Sequence, residues 1–448
     1  NGKMKKLLLM LLVIVGGVVN VNADKLIYLN PGNNATDWAK DNARFALWMY
    51  INNAAQWTDF TYDSTTGYYK ATLTEENCSK FQLVRMNGST TENNDGNAWT
   101  WSGDITTIPV NSALYTFTGW GSGSNPSTFS NSLLPTDYYF ISGTNKSYTI
   151  GEKMTESGGV YTYSFSGETY ANKQVGWASG EAFSSSGALN NWTKVIHSNN
   201  SNDSDQWIAF QSYSYSGLTE TSGSVWYVPA SDKTEYNDGT ITITYTPASN
   251  SATISCTKSA TIGSAGYITY SNGEKCTVSG ATAYKVSANN TSTVTLSEMP
   301  AATVWPASEG MILKGDNGTE VTIHAVASDA TASTIGTNYL VGNGNNSSTP
   351  DTGDNIYVFS WDGSDASTVG FYKATTGTLE AHKAYLDLGR STFNAREFLG
   401  FSFGDESTGI SEVGAKATDA AAYNLQGVRI GKLQKGLNII NGKKVLVR

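Results

Sequence analysis

A chain of 448 residues is too long for one ordinary domain and fits about three. Only 15% of it is charged, the net charge is −9, and Lys and Arg do not cluster on any strand, which argues against nucleic acid as a partner. The 39% hydrophobic content is spread over short segments between Gly, Ser, Thr and Asn, a pattern that predicts an all-β protein and favours a neutral, polar ligand such as a glycan.

The first residues read NGKMKKLLLMLLVIVGGVVNVNA. Lys5 and Lys6, the apolar run Leu7 to Val21 and the small-residue end at Ala23 predict a signal peptide over 1–23, with Asn1 to Lys3 upstream of Met4. The run is short for a membrane span and broken by Gly16 and Gly17. The protein is therefore expected to be exported, to the cell surface or beyond it, with no transmembrane segment once the leader is removed.

From Asp24 to Ser122 short alternating strands follow one another. RFALWMYIN places Phe45, Leu47 and Met49 on one face and Ala46, Trp48 and Tyr50 on the other. Asn52-Asn53 turns the chain back into QWTDF, and GYYKATL, KFQLVRMN, the loop NNDGNAWTW, DITTIPV and ALYTFTGW complete the set. Roughly six or seven strands at this spacing predict a β-sandwich over 24–122. Half of the twelve tryptophans lie in it, more than a core of that size needs.

GSGSNPSTFSNSLLP reads as a linker over 123–135. A second, divergent sandwich is expected over 136–258, because Gly67 to Gly88 aligns without a gap on Gly159 to Gly180. Tyr69 then meets Tyr161, Leu73 meets Phe165, Gln82 meets Gln174 and Leu83 meets Val175. The repeat predicts core faces for Tyr69, Leu73, Tyr161, Tyr163 and Phe165. It sets Arg85 against Trp177, a difference of the kind a binding face would show. TITITYTPASNSATISCT closes this module as a hairpin. Over 259–409 tryptophans thin out and a further β domain is expected, its role undefined. The tail 410–448 carries two hairpins, the second with Asn441-Gly442 as a type I′ signal. The fold class is thus all-β: tandem antiparallel, immunoglobulin-like sandwiches, another β domain and a small β tail.

A pyranose offers C–H groups on one face and hydroxyls round its rim, so it needs a flat aromatic ring and polar side chains. Covering about 70 Å² of apolar surface is worth about 1.7 kcal/mol. Two or three rings, less ordering costs, give roughly 4–6 kcal/mol, and linked modules multiply the effect. Trp48, Tyr50, Arg85, Asn87, Trp99 and Trp101 are the candidate binding residues. Trp177, Trp192 and Trp207 are weaker candidates in the second module, and Trp57 and Trp120 are assigned to packing. The competing reading reverses the faces of the Trp48 strand and tucks Trp99 and Trp101 beneath their loop.

No catalytic constellation stands out. Gly-x-Ser-x-Gly, His-Glu-x-x-His and phosphate-loop patterns are absent from the sequence. Glu75-Glu76 and Asp203 with Asp205 read as solvated turns, so an enzyme is not expected; if there is one, it is a glycoside hydrolase. A structural or adhesive surface protein without glycan binding is the alternative. Cys78, Cys256 and Cys276 form no disulfide framework; Cys256 and Cys276 could pair, and Cys78 reads as free and buried. His197, His324 and His382 are isolated. No cofactor is expected, although Asp351 to Asp354 and Asp362 to Asp365 leave Ca²⁺ open without the EF-hand spacing.

Three resemblances rest on these residues. The first module resembles the family 26 type of starch-binding module in its strand with Tyr28, the turn around Trp57, GYYKATL, and the Asn/Gly/Trp loop after a strand ending in Asn87. That resemblance implies an α-glucan held by aromatic platforms and a polar side chain. YNLQGVRI followed by KGLNIINGKKVLVR resembles the type IX-like sorting tails of secreted Bacteroidetes proteins, which implies the outer-membrane secretion machinery as a partner. The region 259–409, with EGMILKG and AREFLGFSF, resembles β domains that precede such tails and implies no activity.

Overall fold

The computed structural model describes residues 24–403 apart from 35, 122–124, 199–204, 221–223, 234–235, 290–291, 351–354, 375–376 and 390–396, together with 422–423, 429–430, 435–440 and 443–447. The expected signal peptide, Asp203 and the loop Asp351 to Asp354 lie outside the described residues. The fold is all-β: among the described residues, short 3₁₀ turns are the only helical elements.

Nine strands build the first sandwich: β1 (Lys25–Asn30), β2 (Arg44–Ile51), β3 (Ala54–Asp59), β4 (Thr61–Asp63), β5 (Tyr68–Leu73), β6 (Cys78–Met86), β7 (Ala98–Trp101), β8 (Ala113–Gly119) and β9 (Thr128–Leu133). One sheet runs β4-β5-β1-β8-β9, with β1 and β8 parallel, and the other runs β3-β2-β6-β7. The β2–β3 hairpin turns on Asn52 and Asn53, both at positive φ, as its two-residue loop requires. Between the sheets lie Ile27, Leu29, Phe45, Leu47, Met49, Leu73, Phe81 and Leu83, with Tyr69 packed against them. Trp38, from the loop after β1, is fully buried there, stacked on Phe45 and donating from Nε1 to Ser127 Oγ at 3.2 Å.

The expected linker is not one. Thr128–Leu133 pairs antiparallel with β8 and completes its sheet, so a Ser/Asn-rich composition marks an edge strand here.

The next strands are β10 (Tyr138–Thr144), β11 (Ser147–Lys153), β12 (Thr155–Ser157), β13 (Val160–Ser166), β14 (Lys173–Ser179), β15 (Gln206–Trp207), β16 (Tyr213–Tyr215) and β17 (Trp226–Val228). The order β11-β10-β14-β17 places β10 and β14 centrally. One face, with Tyr139, Ile141 and Ala178, is covered by Ala182, Phe183 and Val195 from the segment after β14. On the other face Trp177 stacks on Trp226 at 4.5 Å and Phe140 on Tyr163 at 4.5 Å. Phe165 is buried, whereas Tyr161 is half-buried, its hydroxyl donating to Thr136 O.

The remaining strands begin with β18 (Thr240–Thr246), β19 (Ser251–Thr261), β20 (Tyr267–Tyr270), β21 (Cys276–Ser279), β22 (Thr282–Asn289), β23 (Thr293–Glu298), β24 (Met311–Lys314) and β25 (Glu320–Ala325). After them come β26 (Leu340–Gly342), β27 (Ile356–Ser360), β28 (Gly370–Lys373), β29 (Ala384–Asp387) and β30 (Phe398–Phe403). The hairpin β18–β19 forms as expected, but β19 continues into β25 and β21, so the boundary at 258 falls inside a strand. A nine-stranded sheet, β20-β24-β22-β23-β30-β28-β27-β29-β26, curls until Ser271 N–H, just past β20, donates to His382 O, just before β29. In the tail, β31 (Ala422–Tyr423), β32 (Arg429–Ile430), β33 (Gly436–Ile440) and β34 (Lys443–Val447) form one small sheet. Ile440 pairs with Lys443, and the expected Asn441-Gly442 turn lies outside the described residues.

The chain divides into two interleaved units. One takes the chain up to Tyr163 with Lys173–Gln206 and Gly217–Tyr227; the other takes Ser164–Asn172, Trp207–Ser216 and the chain from Val228 on.

All three cysteines are free and buried. Cys256 and Cys276 do not pair, because β25 runs between their strands and sets them about 10 Å apart, beyond disulfide reach. Burial pushes both thiols up to about 12.

Candidate functional site

The outward face of β3-β2-β6-β7 carries the site. Register places Trp48 between Trp57 on β3 and Gln82 on β6, and places Val84 beside Trp101 on β7. Ala46, Val84 and Met86 are buried under these rings, so the indoles stand on an apolar floor instead of swinging freely. Trp101 is tilted 56° to Trp57 and 83° to Trp48, and Trp48 stacks on Tyr50 at 5.8 Å.

The rings line a cleft of about 1030 Å³ whose remaining walls include Lys80, Gln82, Asn94, Asp95 and Asp104. Lys80 Nζ lies 2.8 Å from Asp104 Oδ2 and within 6 Å of the Trp48 and Tyr50 ring centres, while Gln82 Nε2 donates to Asp104 Oδ1. The Lys80 hydrogen bond, aided by Gln82, holds the Asp104 carboxyl below the usual carboxylate range. Flat apolar faces beside fixed donors and acceptors are what a polyhydroxylated ring needs.

Of the six first-module candidates, Trp48, Trp99 and Trp101 line the cleft and Tyr50 adjoins it through Trp48. Trp99 is the extra residue of a β-bulge, since Arg85 faces Thr100 while Met86 faces Ala98; this throws its indole outward, 43% exposed. Arg85 is no ligand contact. It faces Phe45 on the core side of β2 and is 4% exposed. Its guanidinium donates to Trp38 O and Lys40 O, pairs with Asp41 at 3.0 Å and lies 4.6 Å from the Trp99 ring centre. Asn87 is spent on a turn, its Oδ1 accepting from Ser89 N–H.

Of the two residues assigned to packing, Trp57 joins the cleft, whereas Trp120 packs edge-on against Phe117 at 5.2 Å. Trp120 is 39% exposed, with Nε1 donating to Thr36 O. Among the second-module candidates, Trp177 is fully buried. Trp192 is 43% exposed and leans on Tyr148 at 5.3 Å; Trp207 is also 43% exposed. Gln82 and Asp104 are not among the ligand candidates that the sequence offers. The alternation that marks Trp48 as outward marks Gln82 too, while Asp104 lies in a loop whose approach to β6 no local pattern encodes.

Neither a family model, nor a curated protein, nor a solved structure matches the chain.

Two of the carboxylates weighed for catalysis have structural uses: Glu75 pairs with Lys25 at 2.9 Å and Asp205 accepts from Gln174. A general acid needs a raised pKa, and Asp104 is shifted the other way. Asp362 accepts from the Ser364 and Asp365 backbone N–H groups, forming a turn. Among the described residues, no three His, Cys, Asp or Glu side chains are placed to hold a metal ion. No described helix is long and apolar enough to cross a membrane.

Proposed function

We propose that this is an exported, non-catalytic carbohydrate-binding protein whose first sandwich holds an α-glucan against Trp48, Trp57, Trp99 and Trp101. The observation that carries the reading is the cleft itself, four indoles around one opening with Gln82, Asp104 and Lys80 beside them. The angles between the rings favour a coiled glucan over a flat one, because a flat chain would need coplanar faces. Gln82 and Asp104 supply a donor and an acceptor for sugar hydroxyls, and Lys80 holds the carboxylate charged. Export through the tail machinery, and the sorting role of 410–448, belong to the same proposal and rest on the sequence resemblance.

Retardation on native gels containing starch, compared with gels containing β-linked glucans, tests the ligand. Starch-specific retardation that disappears in Trp101→Ala, with an unchanged melting curve, supports the assignment. Equal mobility in every gel overturns it in favour of a structural or adhesive protein. Release of reducing ends from a polysaccharide panel would instead make the protein a glycoside hydrolase.

A further inference from the structure

A different chemistry is assembled in the second unit. Lys258 on β19 is 7% exposed, its Nζ 2.8 Å from Asp238 Oδ1, 4.8 Å from the Phe210 ring centre and 3.3 Å from Asn345 Oδ1. Asn345 follows β26. Its Oδ1 also accepts from Gly273 N–H at 3.1 Å, and its Nδ2 donates to Glu274 Oε1 at 2.8 Å. This arrangement fixes the carboxamide's orientation, since a backbone N–H must meet the oxygen and a carboxylate must meet the NH₂. Gly273 is required for the fit: a Cβ there would stand 2.4 Å from Asn345 Nδ2 and 2.6 Å from its Cγ.

Each side of that amide thus faces the group that an acyl transfer would use. The oxygen rests on a backbone N–H, the nitrogen rests on a carboxylate, and a shielded primary amine approaches beside the carbonyl. We propose that Lys258 and Asn345 become joined by an intramolecular isopeptide bond, with Glu274 as proton carrier. The Lys258 ammonium gives up one proton to water, Asp238 staying a carboxylate beside it, and the freed amine attacks Asn345 Cγ. Gly273 N–H holds the oxygen as it gains charge, while Glu274 takes the second amine proton and delivers it to the departing NH₂. The C–N bond to Nδ2 breaks, and ammonia leaves and takes up a proton from water as ammonium. One amine and one carboxamide give one secondary amide and one ammonium, with no oxidant or external reagent. Asp238 keeps its contact with His382 Nε2 at 3.4 Å after the lysine charge is gone.

The bond would tie β19 to the segment after β26 and close a loop across 87 positions, constraining the unfolded chain as a disulfide would in a protein whose cysteines are all free.

Intact-mass spectrometry of the purified full chain, followed by peptide mapping, decides the matter. The expected result is a mass short by one ammonia and a branched peptide containing both Lys258 and Asn345. Lys258→Met and Glu274→Gln should restore the full mass while leaving starch retardation unchanged, because neither lies in the tryptophan cleft. Full mass in the wild type after prolonged incubation overturns the proposal. Loss of ammonia with Lys258 in a linear peptide also overturns it, since that marks a succinimide at Asn345. A branched peptide in Glu274→Gln removes Glu274 from the mechanism. The wild-type reading stands alone, so a variant that fails to fold leaves the test intact.

Discussion

The first and second modules use aligned strands in opposite ways. On β6 one face carries Gln82, Val84 and Met86 beneath an open tryptophan cleft. On β14 the aligned residues Gln174, Gly176 and Ala178 lie on the face covered by Ala182, Phe183 and Val195. The position of Arg85 and Trp177 looks inward in both modules, so its change of residue records two ways of filling an interior. One solution uses a guanidinium bonded to carbonyls and the other an indole stacked on Trp226. Tryptophan content alone therefore does not identify a sugar platform. What covers the strand decides whether its rings are ligand surface or core.

Four experiments bear on that contrast, the largest effect first. Trp177→Ala empties a fully buried site and should cost about 3–5 kcal/mol in denaturant unfolding, with starch retardation unchanged in the folded fraction. Arg85→Ala leaves interior carbonyls unpaired and should cost about 2–3 kcal/mol, and it should alter Trp99 fluorescence because the indole loses its cationic support. If Arg85→Ala is as stable as wild type, the inward assignment of that position fails.

Trp101→Ala should weaken binding to a soluble α-glucan by roughly twentyfold, the worth of one covered ring, as read by titration calorimetry. The mildest effect concerns pH. Because the Asp104 pKa is depressed, its ionised contribution is complete above the ordinary carboxylate range and is lost only as pH falls through the lower folded value. Binding should stay level from about pH 7 to about pH 5 and decline below about pH 4; Asp104→Asn should remove that decline.

Much of the first sandwich was legible because alternation has one period and one meaning there. Phe45, Leu47 and Met49 are core, Trp48 and Tyr50 lie outside, and Asn52-Asn53 makes the turn. Arg85 went astray because its charge outweighed its place in the Phe81, Leu83, Arg85 series, whose shared parity puts all three on the core side. β9 was hidden because an edge strand, bonded on one side, tolerates Ser and Asn that a central strand would not. Trp57 pairs across to Trp48 and Asp104 reaches β6 from a loop, and such cross-strand meetings are set by register and tertiary packing.

The interleaving of the two units has a consequence during synthesis. The unit that holds the tryptophan cleft takes its last segment from Gly217–Tyr227, so it cannot close until that stretch has left the ribosome. Ser164–Asn172 and Trp207–Ser216 emerge earlier yet belong with strands translated after Val228. Two short pieces of nascent chain must therefore wait for partners not yet made, and a slow or stalled ribosome in that interval would expose them to chaperones and proteases.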